Sequence, residues 1–432
     1  MDLIYSNSVF TIFAVNNISA QDPLPGIRRG TRDHQQHVVK IQGLRLAVSF
    51  SPLSDVIVSS VWNQRGWTYQ EFMLSRRRIF VTANQVHFEC VEGNWCEGVV
   101  GGYDSSTGSF SIFDSSSWRN EGYLRDYAEI INTYTKRKLT KESDIINAIA
   151  ALLKTLTRAY KLADGNYDEA FRFGMPVMNL TEALLWQPAA NASHSRRSAN
   201  GTGVQWPSWS WAGWRGAARY NGVSVFVDLK EHPDNNIFIY ETLVQQWYIA
   251  DDNGCPQAVR QGVRLHDGHT GEDMEDAGLS MYVAPSGDIN PQSLITKNTP
   301  LRPGTLVFRT SSARFDVRRA HDVVGARAVA DYAIYSILTD NPRPATLIGR
   351  VILPSSTSSP ASHRFIVLAR ADNCKGLYDE SVLQKPYHGC MMYVMAVQET
   401  QYESIVERVG VSVIFEQAWL KSAAEQGIVF LG

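Results

Sequence analysis

Glu71 is the residue best placed in this chain to do acid–base chemistry. It lies in Trp62-Asn-Gln-Arg-Gly-Trp-Thr-Tyr-Gln-Glu71-Phe-Met-Leu-Ser-Arg-Arg-Arg78. At helical spacing Trp67 and Leu74 fall on one stripe with Gln70 and Glu71 on its flanks, while Tyr69 and Met73 point the other way. A carboxylate beside an apolar stripe must be hydrogen-bonded or paired, or its pKa rises. Two readings stand. In one, Arg65 or one of Arg76, Arg77 and Arg78 pairs with Glu71 and locks the helix to a sheet. In the other, Glu71 is a working acid or base.

Other chemistry is thinly represented. His87, Cys90 and Cys96 suggest part of a zinc set, but no second pair at ligand spacing follows. His266, His269, Glu272 and Asp273 cluster in a polar loop with no evident rigid cage. There is no Walker loop and no nucleophile elbow, and Gly201-Thr-Gly203 lacks the third glycine of a dinucleotide site. These observations assign no metal and no cofactor.

The elements that must position Glu71 are a helix and the hairpin after it. Past Ser75 the apolar period switches to two. Arg78–Thr82 and Val86–Cys90 read as strands around an Ala83-Asn84-Gln85 turn, with His87 and Glu89 on one face and Val86, Phe88 and Cys90 on the other. Upstream, Met1–Asn7 reads as a helix end, Val9–Val15 as a buried strand, and Pro23-Leu-Pro-Gly26 as a turn. Residues 91–118 are rich in Gly and Ser and read as a flexible connection.

Further along, Tyr123, Tyr127, Ile130, Ile131 and Tyr134 recur at helical spacing, with Lys136-Arg-Lys138 at that helix's C-terminus, where cations favour its dipole. A second helix is expected from an N-cap at Ser143, with Ile145, Ile149, Leu152, Leu153 and Leu156 as its stripe. Gln205-Trp-Pro-Ser-Trp-Ser-Trp-Ala-Gly-Trp214 holds four of the eleven Trp. It reads as a strand with Trp209 and Trp211 on one face, serving as a core anchor or as a platform for a sugar or base. Beyond residue 220 the chain reads as β-rich, with strands at Val223–Val227, Thr305–Phe308, Ile348–Leu353, Arg364–Leu368 and Met391–Val397. Asp251–Gly278 and Pro354–His363 read as polar loops.

Bulk properties exclude some classes. The 432 residues are 44% hydrophobic and 19% charged, a globular composition with room for two or three domains. A net charge of -2 and a pI of about 6.6 leave no basic field for a nucleic-acid backbone. Five scattered Cys make no disulfide framework and favour a reducing compartment. No apolar run approaches the about 20 residues of a membrane span, and the N-terminus lacks a basic leader. The expectation is a soluble, cytoplasmic protein that binds neither membrane nor nucleic acid.

Arg65-Gly-Trp-Thr-Tyr-Gln-Glu71 with Leu74-Ser-Arg-Arg77, continued by Phe88-Glu-Cys90, resembles the third signature of the fungal heterokaryon incompatibility (HET) domain. Tyr134–Asp144, Pro207–Trp214 and Glu407–Leu431 resemble segments downstream of that domain. The two signatures that open the domain in the family do not occur, so a truncated, shortened or decayed domain is expected. The resemblance implies a partial HET/TIR-like α/β domain over 1–100, a helical connector over 119–190 and a β-rich region over 204–432. It further implies non-self recognition ending in programmed cell death, through signalling contacts with other incompatibility proteins or by self-association. By analogy with NAD-cleaving TIR domains, Glu71 would be catalytic in an NAD glycohydrolase; an inactive remnant is a third outcome.

Overall fold

A computed structural model describes residues 2–32, 36–98, 123–189, 194–197, 205–220, 239–261, 282–287, 289–290, 301–320, 331–339, 345–371, 391–400 and 404–432. The expected strand Val223–Val227, the cluster His266, His269, Glu272 and Asp273, and Gly201-Thr-Gly203 lie outside them. The chain divides into two compact units, Met1–Tyr167 and Asp168–Gly432. That division falls inside the stretch 119–190 read as a connector.

The first unit is α/β. Helix α1 (Asp2–Ser6) leads into strand β1 (Thr11–Ala14). Then come β2 (Val38–Ile41), β3 (Leu44–Ala47), helix α2 (Leu53–Ser59) and helix α3 (Gly66–Leu74). Strands β4 (Arg78–Val81), β5 (Val86–Cys90) and β6 (Gly93–Cys96) follow. The sheet order is β1-β4-β5-β6, with β1 parallel to β4 and the other pairs antiparallel. A parallel pair needs a crossover, and α3 lies in it. Strand β6 lies inside the stretch 91–118 expected to be a flexible connection; residues 99–118 of that stretch lie outside the described residues.

Helix α3 is not amphipathic in the way its spacing suggests. Gly66, Thr68, Tyr69, Gln70, Phe72, Met73 and Leu74 are all buried, while Trp67 and Glu71 are half-buried. Phe72 packs against Phe13, Trp62 and Phe80, and Phe13 and Phe80 stack at 5.2 Å. Tyr69 stacks on Tyr134 of helix α4 (Tyr123–Tyr134) at 6.4 Å. A helix covered by a sheet on one side and helices on another has no single apolar stripe.

The expected stripe of α4 is buried at every position. Helix α5 covers Ala150–Ala159. Ser143 is not its cap but sits in a 3-10 turn, Glu142–Ile145, although Ile145, Ile149, Leu152, Leu153 and Leu156 are all buried as expected. Acidic, polar residues at 142–144 favour a turn over the first helical residues.

The second unit is β-rich. Three two-residue ladders come first: β7 (Phe171–Arg172) with β8 (Met175–Pro176), β9 (Gln187–Pro188) with β12 (Ala218–Arg219), and β10 (Ser195–Arg196) with β11 (Trp214–Arg215). Strands β13 (Ile239–Thr242), β14 (Trp247–Ala250) and β15 (Pro256–Ala258) follow. The main body is β16 (Leu306–Arg319), β17 (Tyr332–Thr339), β18 (Thr346–Pro354), β19 (Ala361–Ala371), β20 (Met391–Glu399), β21 (Ile405–Phe415) and β22 (Glu425–Leu431).

Pairing runs β16-β17-β18-β21-β20-β19 and back to β16, a closed antiparallel ring. Closure removes the sheet edges. Alternate residues point inward: Ala313, Phe315 and Val317; Ala333, Tyr335 and Ile337; Met392, Val394 and Ala396.

The Trp-rich segment is not a strand. Trp211–Gly213 is a 3-10 turn capped by Ser210, whose hydroxyl accepts from the Ala212 N–H at 3.0 Å. Serine offers the backbone this local bond in place of a ladder. Trp209 and Trp211 are nonetheless buried, and the Trp209 indole N–H donates to the Gly304 carbonyl at 2.9 Å. Buried indoles bonded to backbone anchor a core and offer no open platform.

Candidate functional site

Helix α3 starts without a side-chain cap. Its first turn is held instead by backbone: the Gly66 N–H donates to the Lys138 carbonyl at 2.7 Å, and the Lys138 N–H to the Gln64 carbonyl at 2.6 Å. The Thr68 hydroxyl donates to the Trp62 carbonyl at 2.7 Å. At the other end the Ser75 hydroxyl donates to the Glu71 carbonyl at 2.7 Å and meets the Thr11 hydroxyl at 2.8 Å, tying the Glu71 turn to β1. The Trp67 indole donates to Asp144 at 3.2 Å.

The Glu71 carboxyl is thus mounted on a fixed turn, half-buried, one helical turn from Trp67. Burial raises its pKa above the ordinary carboxylate value; a hydrogen bond from the Tyr5 side chain and the charge of Arg65 oppose that rise without cancelling it. Tyr5 is raised in turn, by burial and then by Glu71. The arrangement is a carboxyl held toward its neutral form between a phenol and an exposed guanidinium. That suits proton exchange, or stabilisation of a cationic centre once ionised.

Of the four arginines read as possible partners, Arg65 alone acts on Glu71. Arg76 and Arg77 are exposed. Arg78 bridges to Glu89 at 3.3 Å, donates to the Ser75 carbonyl at 2.9 Å and covers the Phe72 ring at 4.4 Å. It joins β4 to β5 and does not reach across to the helix acid.

Spacing gives no role to three residues around helix α3, of which Tyr5 alone acts on Glu71. Tyr5 is too distant along the chain to be paired with Glu71 by spacing. Gln70 is fully buried, and neither its amide oxygen nor its nitrogen has a hydrogen-bond partner among the described residues. Arg137, read as a dipole-favouring cation, lies over the Tyr69 ring at 4.6 Å and donates to Asn63 at 2.7 Å; burial lowers its pKa to about 10.

The partial zinc set does not converge. His87 faces Cys96 across the β5–β6 ladder, whereas Cys90 lies three residues on, on the opposite face of the strand. Cys90, Cys96 and Cys255 are free thiols. Among the described residues no group of three or more His, Cys, Asp or Glu is placed to hold a metal ion, and no helix is long and apolar enough to cross a membrane.

Residues 1–71 match the family model described as Heterokaryon incompatibility protein (HET). The match ends on Glu71 and spans α1, β1 and most of α3, overlapping the resemblance read at Arg65–Arg77. The resemblances further along lie beyond it. No curated protein and no solved structure matches the chain.

Proposed function

We propose that this protein acts in fungal heterokaryon incompatibility, as a cytoplasmic non-self recognition and cell-death signalling component working through protein–protein contact. The HET match over residues 1–71 carries the reading. Its partners would be other incompatibility proteins or further copies of itself. The test is inducible expression of the full chain in a filamentous fungal host, scored for growth arrest. Arrest by the intact chain and not by a soluble Trp67→Ala variant is the expected result. Normal growth with the intact protein present at comparable levels would exclude it.

The second reading is TIR-like cleavage of NAD at the nicotinamide bond by Glu71. It rests on the half-buried carboxyl between Tyr5 and Arg65. The ionised carboxylate would stabilise the positive charge that develops on the ribose as nicotinamide departs, and water would complete the hydrolysis. Incubating purified protein with NAD and following nicotinamide release tests it. Release must exceed that of Glu71→Gln; equal rates end the enzymatic reading and leave the signalling one untouched.

A further inference from the structure

We propose that the β2–β3 hairpin is a docking edge for an extended protein segment in which apolar residues alternate with carboxylates. The hairpin turns at Gln42-Gly43, both with positive φ (49° and 85°), the geometry that matches the twist of two paired strands. Register places Val39 opposite Leu46 and Ile41 opposite Leu44. These four side chains share one face, and each is between 52% and 67% exposed. The opposite face carries Lys40 directly across from Arg45, beside Val38 and Ala47.

Three features define the occupant. First, β2 and β3 pair only with each other among the described residues, so each strand presents an open edge. A lone two-stranded hairpin is marginal in water and gains stability from a third strand. Second, the apolar face needs apolar side chains at alternate positions of that strand. Third, Lys40 and Arg45 are like charges directly opposite each other across the two strands, which destabilises the pairing; carboxylates on the added strand's other face relieve it.

The surrounding sequence has the same sign. Between Ile27 and Phe50 stand Arg28, Arg29, Lys40 and Arg45, with Arg32 paired to Glu97 at 2.7 Å, against Asp33 alone, in a chain of net charge -2. An anionic lipid surface fits less well. Inserting the apolar face would aim Lys40 and Arg45 away from the headgroups, whereas an added strand meets both faces at once. A second copy brings the same cations and an apolar patch of only four side chains, against the about 20–30 residues a side of a stable interface.

The test uses the full chain and a fluorescein-labelled peptide, Val-Glu-Ile-Glu-Val-Glu-Ile, followed by anisotropy in low and high salt. The expected result is salt-sensitive binding that protects the amides of residues 38–47 from hydrogen exchange. A peptide with Lys in place of Glu should bind about tenfold more weakly. The exposed double variant Lys40→Glu/Arg45→Glu should reverse that preference, and Leu44→Asp should abolish binding of both peptides. The proposal is overturned by absence of binding, by preference unchanged in the charge-reversed variant, or by protection elsewhere. Concentration-dependent self-association through the hairpin, or binding to phosphatidylserine vesicles, without peptide binding, would overturn it in favour of those occupants.

Discussion

The imidazole of His194 lies close to parallel with the indole of Trp186, ring centroids 6.0 Å apart at 28°. Trp214 at 5.8 Å and Tyr332, edge-on at 5.7 Å, flank the same ring, and its Nε2 meets the Ala217 carbonyl at 3.2 Å. Burial lowers the His194 pKa to about 4. An unfolded histidine titrates near 6.5, so between these values the unfolded chain binds the extra proton. Stability from this group is whole above pH of about 6.5 and is lost as pH falls toward 4, by about 3 kcal/mol. Urea unfolding at stepped pH checks it: a His194→Phe variant should lose that part of the acid slope.

Glu71 has the opposite sign. Its folded pKa is raised, so the folded state binds the proton more readily, and ionisation works against folding as pH rises. Glu71→Gln is therefore expected to be neutral or stabilising at pH 7, with the difference vanishing in acid. Thermal unfolding of both proteins at pH 7 and pH 4 measures it. A clear loss of stability at pH 7 would show instead that the charged form is the favoured one.

Arg370 and Glu416 form a buried ion pair at 3.0 Å, with side chains 4% and 3% exposed. Glu416 also accepts from the Tyr282 N–H at 2.8 Å, and Arg370 donates to the Tyr282 carbonyl at 2.7 Å. Replacing Glu416 alone by Met strands a buried cation, at a cost of about 3–5 kcal/mol. The double variant Arg370→Met/Glu416→Met should recover much of that loss, leaving the cost of the unmet Tyr282 backbone groups, about 1–3 kcal/mol. Denaturant midpoints of the single and double variants give the comparison.

Gly410 lets β21 approach its neighbour: a Cβ there would meet the Ile352 carbonyl oxygen at 2.5 Å and Val351 Cγ2 at 3.2 Å. Gly410→Ala is expected to destabilise by about 1–3 kcal/mol. Gly427, in β22, has nothing within 4 Å of its Cβ position, and Gly427→Ala should leave the melting temperature unchanged or slightly higher. Calorimetry on the two variants separates a packing effect from a general glycine effect.

Sequence legibility followed how many sides of an element are covered. Helix α4 packs one face, and its five apolar positions were readable by spacing. So were β4 and β5, and the apolar cores of β18, β19 and β20, which are buried on both faces and read as short continuous runs; β17 and most of β16 were not expected, and β19 begins at Ala361, inside the stretch Pro354–His363 read as a loop. Helix α3 is covered on several sides, so its period misplaced Trp67 and left Tyr69 and Met73 on a supposedly outer face. The Trp segment resembled a strand because Ser210 capping is a local hydrogen-bond choice that periodicity does not register. The β2–β3 hairpin is hard to read from the sequence although short apolar runs flank Gln42-Gly43, because exposed apolar residues on both strands give no inside–outside contrast. Tyr5 joined Glu71 only through the fold.

The Ser208 hydroxyl accepts from the Arg408 N–H at 2.9 Å, and the Ser208 N–H donates to the Gly432 carbonyl at 2.8 Å. The Arg408 guanidinium also roofs Trp186 at 3.8 Å. During synthesis, then, the Trp186 indole emerges from the ribosome long before Arg408, which shelters it. Through that interval the Trp186 indole is sticky, unsheltered surface, which makes the nascent second unit a natural client for chaperones and defers its closing step until the segments carrying Arg408 and Gly432 have emerged.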